Sequence, residues 1–122
     1  MPGKVLIIDD DIDTLKLVGL MLQHQGYEIM AAPSGAKGLA KAWSGSPDVI
    51  LLDLMMPEMD GFAVMDRLQS DPATAEIPII VVTAKELTSA EKNRLHGHIQ
   101  GLMKKGDFLN DDLLDEVRAL LG

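Results

Sequence analysis

The chain has 122 residues, 47% of them hydrophobic, with no cysteine and a formal net charge of −8. That length suits one domain with one core, the apolar content excludes a disordered tail, and the lack of cysteine excludes disulfides and thiolate metal sites. The acidic balance argues against direct nucleic-acid binding, which needs a basic patch.

Met1-Pro2-Gly3-Lys4 leads into a short apolar run that ends in acids, which is not the pattern of a signal peptide. No apolar stretch approaches the ~20 residues of a membrane helix. A cytoplasmic protein without membrane contact is expected.

Lys4-Val5-Leu6-Ile7-Ile8 is continuous and β-branched, like a strand buried on both faces. Residues 12 to 25 predict a helix with Thr14, Leu17, Val18, Met21 and Leu22 on one stripe, stopped by Gly26. Ile12 and Leu15 fall off that stripe, near its first turn. Tyr27 to Ala31 is a weaker strand. Ser34 caps a second helix running to about Trp43, before Gly45 and Pro47. Val49 to Leu52 is a strong strand. Phe62 to about Leu68 is a third helix, ended by Asp71-Pro72. Ile79 to Val82 is a fourth strand, and a helix follows from Thr88-Ser89 to Gly97. Ile99 to Met103 is the weakest strand, interrupted by Gln100 and Gly101. A fifth helix runs from about Asp111 to Leu121 behind an Asn110-Asp111-Asp112 cap. Strands alternating with helices imply an α/β fold with a parallel sheet.

In open parallel sheets, ligands bind beyond the carboxyl ends of the strands, where strand order reverses. The first strand ends in Asp9-Asp10-Asp11, the third in Asp53, the fourth in Thr83-Ala84 and the fifth in Lys104-Lys105. If these strands are neighbours, the residues share one rim. Clustered carboxylates repel, and Mg²⁺, a hard cation that takes oxygen ligands, resolves the repulsion. A lysine and a threonine hydroxyl beside it suit phosphate oxygens. A carboxylate can serve as the nucleophile and form an aspartyl phosphate.

Three stretches carry a resemblance. Leu6-Ile7-Ile8-Asp9-Asp10 is similar to the opening of response-regulator receiver domains. Asp48 to Gly61, with Asp53, Pro57 and Asp60, resembles the family's phosphoacceptor loop almost letter for letter. Val81-Val82-Thr83-Ala84 and Lys105 complete the pattern, in the family's order. The resemblance covers essentially the whole chain, so residues 1–122 are expected to form a single receiver domain. It implies a flavodoxin-like (βα)5 three-layer sandwich with strand order 2-1-3-4-5.

The resemblance also implies roles. Asp53 accepts a phosphoryl group from a sensor histidine kinase or a histidine phosphotransfer protein. Asp9, Asp10, Asp53 and the backbone carbonyl of Met55 hold Mg²⁺. Thr83, Ala84 and Lys105 bind the phosphoryl group, and Thr83 moves toward it. Pro57 and Gly61 shape the loop into the third helix. The face made by the fourth helix, fifth strand and fifth helix is expected to meet a target or a second copy.

Two positions depart from the family. Gly106 stands where a proline joined by a cis bond is usual. A cis bond before any other residue costs about 3–4 kcal/mol, so that feature is not carried over. Leu102 stands where an aromatic residue often swings inward. The Lys-Gly-Asp segment is similar to receivers attached to sensor kinases. Met55 and Lys85 flank the expected phosphate position and are expected to tune its lifetime.

Other motifs read as structural. Asp11, Asp60, Asp66 and Asp71 suit helix caps or solvated positions. His96 and His98 lack further ligands for a metal, and His24 suits the surface. The methionines, apart from Met55-Met56 in the loop that borders the site, are expected to pack, as are Trp43 and Phe62. An aspartyl phosphohydrolase would need a second acid where Met55 stands, and no Gly-x-Gly-x-x-Gly or Walker loop supports a nucleotide or flavin site.

Overall fold

In the computed structural model, the described residues are 3–105 and 112–121. Along the chain run β1 (Lys4–Ile8), α1 (Ile12–His24), β2 (Glu28–Ala32), α2 (Gly35–Gly45), β3 (Val49–Leu52), α3 (Gly61–Ser70), β4 (Ile79–Thr83), α4 (Ser89–Leu95), β5 (Gly101–Lys104) and α5 (Asp112–Leu121). The strands form one five-stranded sheet of order β2-β1-β3-β4-β5. All four strand pairs are parallel, with Leu6 opposite Met30 and Ile50, and Val81 opposite Leu52 and Leu102. This is the flavodoxin-like topology that the family resemblance implied.

Alternation along each strand produces the two cores. Leu6, Ile8, Ile50, Leu52, Ile79 and Val81 point to one face and pack under α2, α3 and α4, through Leu39, Phe62, Met65, Leu68 and Leu95. Val5, Ile7, Val49, Leu51, Ile80 and Val82 point to the other, under Leu15, Val18 and Leu22 of α1 and Leu113, Leu114 and Val117 of α5. Because helices cover both faces, the central strands tolerate no polar alternation, hence their continuous apolar runs. Each fully buried Leu, Ile or Val contributes about 1.5–3 kcal/mol.

Several helix ends follow the predicted chemistry. Asp11 caps α1 by accepting the amides of Asp13 and Thr14, Ser34 caps α2 through Lys37, and Asp60 caps α3 through Ala63. Gly26 follows α1 with φ 97°, a left-handed turn that favours glycine. At the end of α2 the left-handed residue is Ser46, φ 48°, rather than Gly45. The expected α5 cap, through Asn110 and Asp111, lies outside the described residues.

Four expectations are corrected. The buried face of α1 is Thr14, Leu15, Val18, Gly19 and Leu22, while Leu17 is exposed. Trp43 does not pack into the core; it is half exposed on α2. Strand β2 begins at Glu28 rather than Tyr27, although Tyr27 is buried, and β5 begins at Gly101 rather than Ile99. No helix among the described residues is long and apolar enough to cross a membrane.

Candidate functional site

Strand order reverses between β1 and β3, whose carboxyl ends present Asp9 and Asp53 side by side. Both side chains are buried, each residue 3% exposed, whereas Asp10 is open to solvent. Local amides aim them: Asp9 Oδ1 accepts the Asp11 amide at 2.9 Å, and Asp53 Oδ1 accepts the Met55 amide at 3.2 Å. One carboxylate oxygen from each of Asp9, Asp10 and Asp53 lies within 4.8 Å of the others.

Lys105, one residue past β5, reaches across this cluster. Its ammonium lies 3.0 Å from Asp9 Oδ2 and 3.4 Å from Asp53 Oδ2. Burial raises the Asp9 carboxyl to about 6, with the Asp53 charge adding to it, while the Asp11 amide and Lys105 oppose the rise. For Lys105 burial favours the neutral amine, but the hydrogen bond to Asp9 and the charges of Asp53 and Asp9 outweigh it and hold its pKa above 10.5. Three carboxylates face one ammonium, which leaves the site short of positive charge. All the clustered donors are carboxylate oxygens, the set a hard divalent cation such as Mg²⁺ prefers.

Thr83 ends β4 and is buried; its hydroxyl accepts the Lys85 amide at 3.2 Å. Ala84, next along, is exposed. Met55 is exposed beside Asp53, and Leu102 is exposed on β5. The loop from β3 to α3 is shaped at three points. The Pro57 carbonyl accepts the Met59 amide at 2.7 Å. Gly61 donates to the Leu54 carbonyl at 3.1 Å, and a Cβ there would stand 2.4 Å from the Asp53 carbonyl oxygen. Between them Glu58 adopts φ 67°, a left-handed conformation that sequence reading did not anticipate.

The structure thus gathers Asp9, Asp10, Asp53 and Lys105, with Thr83 and Met55 on adjoining segments. Gly106 lies outside the described residues, and with it the Lys105–Gly106 bond. His96 and His98 are exposed, and Asp9, Asp10 and Asp53 are the one metal-compatible acid or histidine group among the described residues. Sequence reading missed the link from Lys85 to Glu91, 3.3 Å apart. Its signal was the Thr88-x-x-Glu91 capping box.

Comparison with known proteins agrees with this geometry. The model of the response regulator receiver domain family matches residues 5–118. The chain belongs to that family. It is 40% identical over 97% of its length to the DNA-binding dual master transcriptional regulator RpaA of Synechocystis, spanning 48% of that protein. It is 34% identical to protein PilH of Pseudomonas aeruginosa, covering 98% of each chain. The solved chemotaxis protein CheY4 of Vibrio cholerae superimposes with a TM-score of 0.88 at 31% identity, covering 99% of this chain and 100% of that one. The chain spans less than half of two of these curated relatives, 48% of RpaA and 26% of the response regulator PleD of Caulobacter vibrioides, but nearly all of PilH. Receiver domains of two-component response regulators are signalling modules rather than classical enzymes; they meet histidine kinases or phosphotransfer proteins and bind Mg²⁺ at this acidic site.

Proposed function

We propose that residues 1–122 act as one receiver domain in which Asp53 accepts a phosphoryl group from a phosphohistidine on a sensor kinase or phosphotransfer protein. The observation that carries this reading is Lys105, which bridges Asp9 and Asp53 from 96 and 52 residues away. Asp9, Asp10, Asp53 and the Met55 carbonyl would hold Mg²⁺, whose chemistry there is to neutralise the phosphoryl oxygens.

Asp53 Oδ2 is the nucleophile. As its bond to phosphorus forms, the phosphorus–nitrogen bond of the donor breaks and the electron pair returns to the imidazole. Lys105 leaves Asp53 to pair with a phosphoryl oxygen, and the Thr83 hydroxyl donates to another. Burial of Asp53 keeps bulk water from its carboxylate, and the exposed rim at Asp10 and Met55 leaves an approach for the donor. Hydrolysis of the acyl phosphate resets the domain. The face formed by α4, β5 and α5 then meets the target or a second copy. A cytoplasmic setting matches a kinase partner.

Incubation with acetyl phosphate and Mg²⁺, read by intact mass, tests this. One phosphoryl adduct on the wild type and none on Asp53→Asn is the expected result. An adduct on both, or on neither, overturns the assignment.

A further inference from the structure

The loop from β3 to α3 contains a bend that is costly to hold. Glu58 adopts φ 67°, and across it the Met59 amide donates to the Pro57 carbonyl at 2.7 Å. This is a three-residue γ-turn of the rare, strained form. Such a conformation persists only where surrounding contacts over-determine it. Glu58 is exposed, so packing of its own side chain does not hold the turn.

The support comes from α2. Met59 is partly buried and packs on the core. Gly35, the first residue of α2 behind the Ser34 cap, lies against it. A Cβ at Gly35 would stand 3.0 Å from the Met59 carbonyl oxygen, 3.1 Å from Met59 Cβ and 2.8 Å from Val64 Cγ2. At Gly38 and Gly45, on the same helix, a Cβ would instead meet the side chains of Ile8 and Met30. Gly35 is thus where α2 approaches the backbone of the loop.

The strained turn lies between that contact and the rim. Three residues before Glu58, the Met55 amide donates to Asp53 Oδ1 at 3.2 Å. Three residues after it, the Gly61 amide donates to the Leu54 carbonyl at 3.1 Å. A stiff turn carries a displacement of Met59 to both bonds, whereas a compliant one absorbs it.

We infer, on the reading of this rim as a phosphoacceptor and Mg²⁺ site, that Gly35 is a positioning residue for it. Having no side chain, Gly35 lets Met59 seat against α2. Through the Glu58 turn, that contact fixes the segment that aims Asp53 and presents the Met55 carbonyl. The remote support is therefore part of the preorganisation of the metal ligands.

Amide NMR of the metal-free protein is the first test. Gly35→Ala moves the Met55 and Gly61 amide resonances. Leu39→Ala empties core volume under the same helix and lowers the urea midpoint, but leaves those two resonances in place. Calorimetric titration of Mg²⁺ is the second. Gly35→Ala weakens binding about tenfold, the usual effect of removing a support behind a metal ligand, and Leu39→Ala keeps the wild-type affinity. Met59→Ala undoes the same contact from the loop side without overpacking and gives the same loss, which decides the matter if Gly35→Ala does not fold.

Glu58→Gly completes a double-mutant cycle. Glycine holds a positive φ without strain and makes the turn compliant. Adding Gly35→Ala to Glu58→Gly therefore lowers Mg²⁺ affinity no further. Unmoved amides or unchanged Mg²⁺ affinity in either folded variant, Gly35→Ala or Met59→Ala, overturns the positioning role. So does an equal loss in Leu39→Ala, or losses that multiply in the double variant. A wild type that binds no Mg²⁺ defeats the reading of the rim instead, and the metal-free resonances still decide whether Gly35 positions the loop.

Discussion

Lys105 and Asp9, 96 positions apart in the chain, form an ion pair of 3.0 Å at the carboxyl rim of the sheet. The ammonium also reaches Asp53, so it is the cation closest to two buried carboxylates. The folded pKa of Lys105 lies above its ordinary 10.5. The pair's contribution is therefore complete from above about pH 6, where Asp9 is ionised, up to pH 10.5, and is lost as pH rises through the folded value of Lys105. At pH 7, Lys105→Met leaves the carboxylates facing each other and lowers stability by about 2 kcal/mol without Mg²⁺. Urea unfolding measures it, and Mg²⁺ should recover more stability in the variant than in the wild type. A variant with an unchanged urea midpoint would show that the bridge stabilises nothing.

Asp9 shifts in the same direction, but for Asp9 the ionised form is the one the fold disfavours. Its carboxyl is raised by burial from 3.8 to about 6, so between those values the folded state binds more protons than the unfolded one. In that window metal-free stability falls as pH rises, by about 3 kcal/mol in all through this group. Asp9→Asn removes the penalty, so at pH 7.5 without Mg²⁺ it should unfold at higher urea than the wild type. The gap should close as pH falls toward 4. Protons also compete with the cation: apparent Mg²⁺ affinity should fall about tenfold per pH unit below 6. Titration of Mg²⁺ at pH 5, 6 and 7 checks this, and a flat affinity would remove Asp9 from the ligand set.

The strands and the rim were legible because each signal is local and strong. The continuous apolar runs Val5 to Ile8 and Val49 to Leu52 fit strands buried on both faces, and an acid after each marks the reversal point. The α1 face was misread because Gly19 carries no hydrophobic signal. It faces Ile29, whose Cγ2 would lie 3.6 Å from a Cβ at that position, and the true stripe runs Thr14-Leu15-Val18-Gly19-Leu22. Counting Leu17 in place of Leu15 turned the stripe away from the sheet. Glu58 and the Lys85–Glu91 pair depend on loop courses, which have no period to read.

Gly61 is the position least able to accept a side chain. A Cβ there would stand 2.4 Å from the Asp53 carbonyl oxygen and 2.7 Å from Leu54 Cα, both backbone atoms that no rotamer change can move. Gly61→Ala should therefore cost about 2–3 kcal/mol, at the upper end of overpacking effects. Because the displaced backbone carries Asp53, phosphoryl uptake should slow as well. Gly97→Ala is the useful contrast. Its φ is 81°, but open space surrounds it, so it should bring a strain of about 1 kcal/mol and normal uptake. Equal uptake rates in the two variants would separate Gly61 from the site.

Asp60 belongs to the same sequence motif as Asp53 but does different work. Its Oδ1 accepts the Ala63 amide at 2.9 Å, and its backbone is extended, as an N-cap requires. It is exposed and stands outside the acid cluster. Asp60→Ala should cost about 1 kcal/mol through the lost cap. Asp60→Ser should recover most of that, because a hydroxyl caps as well. Neither change should alter Mg²⁺ affinity or the final extent of phosphoryl uptake, whereas Asp10→Ala should weaken Mg²⁺ binding with little effect on stability. If Asp60→Ala weakened Mg²⁺ binding as much as Asp10→Ala, the boundary drawn between the rim and the α3 cap would be wrong.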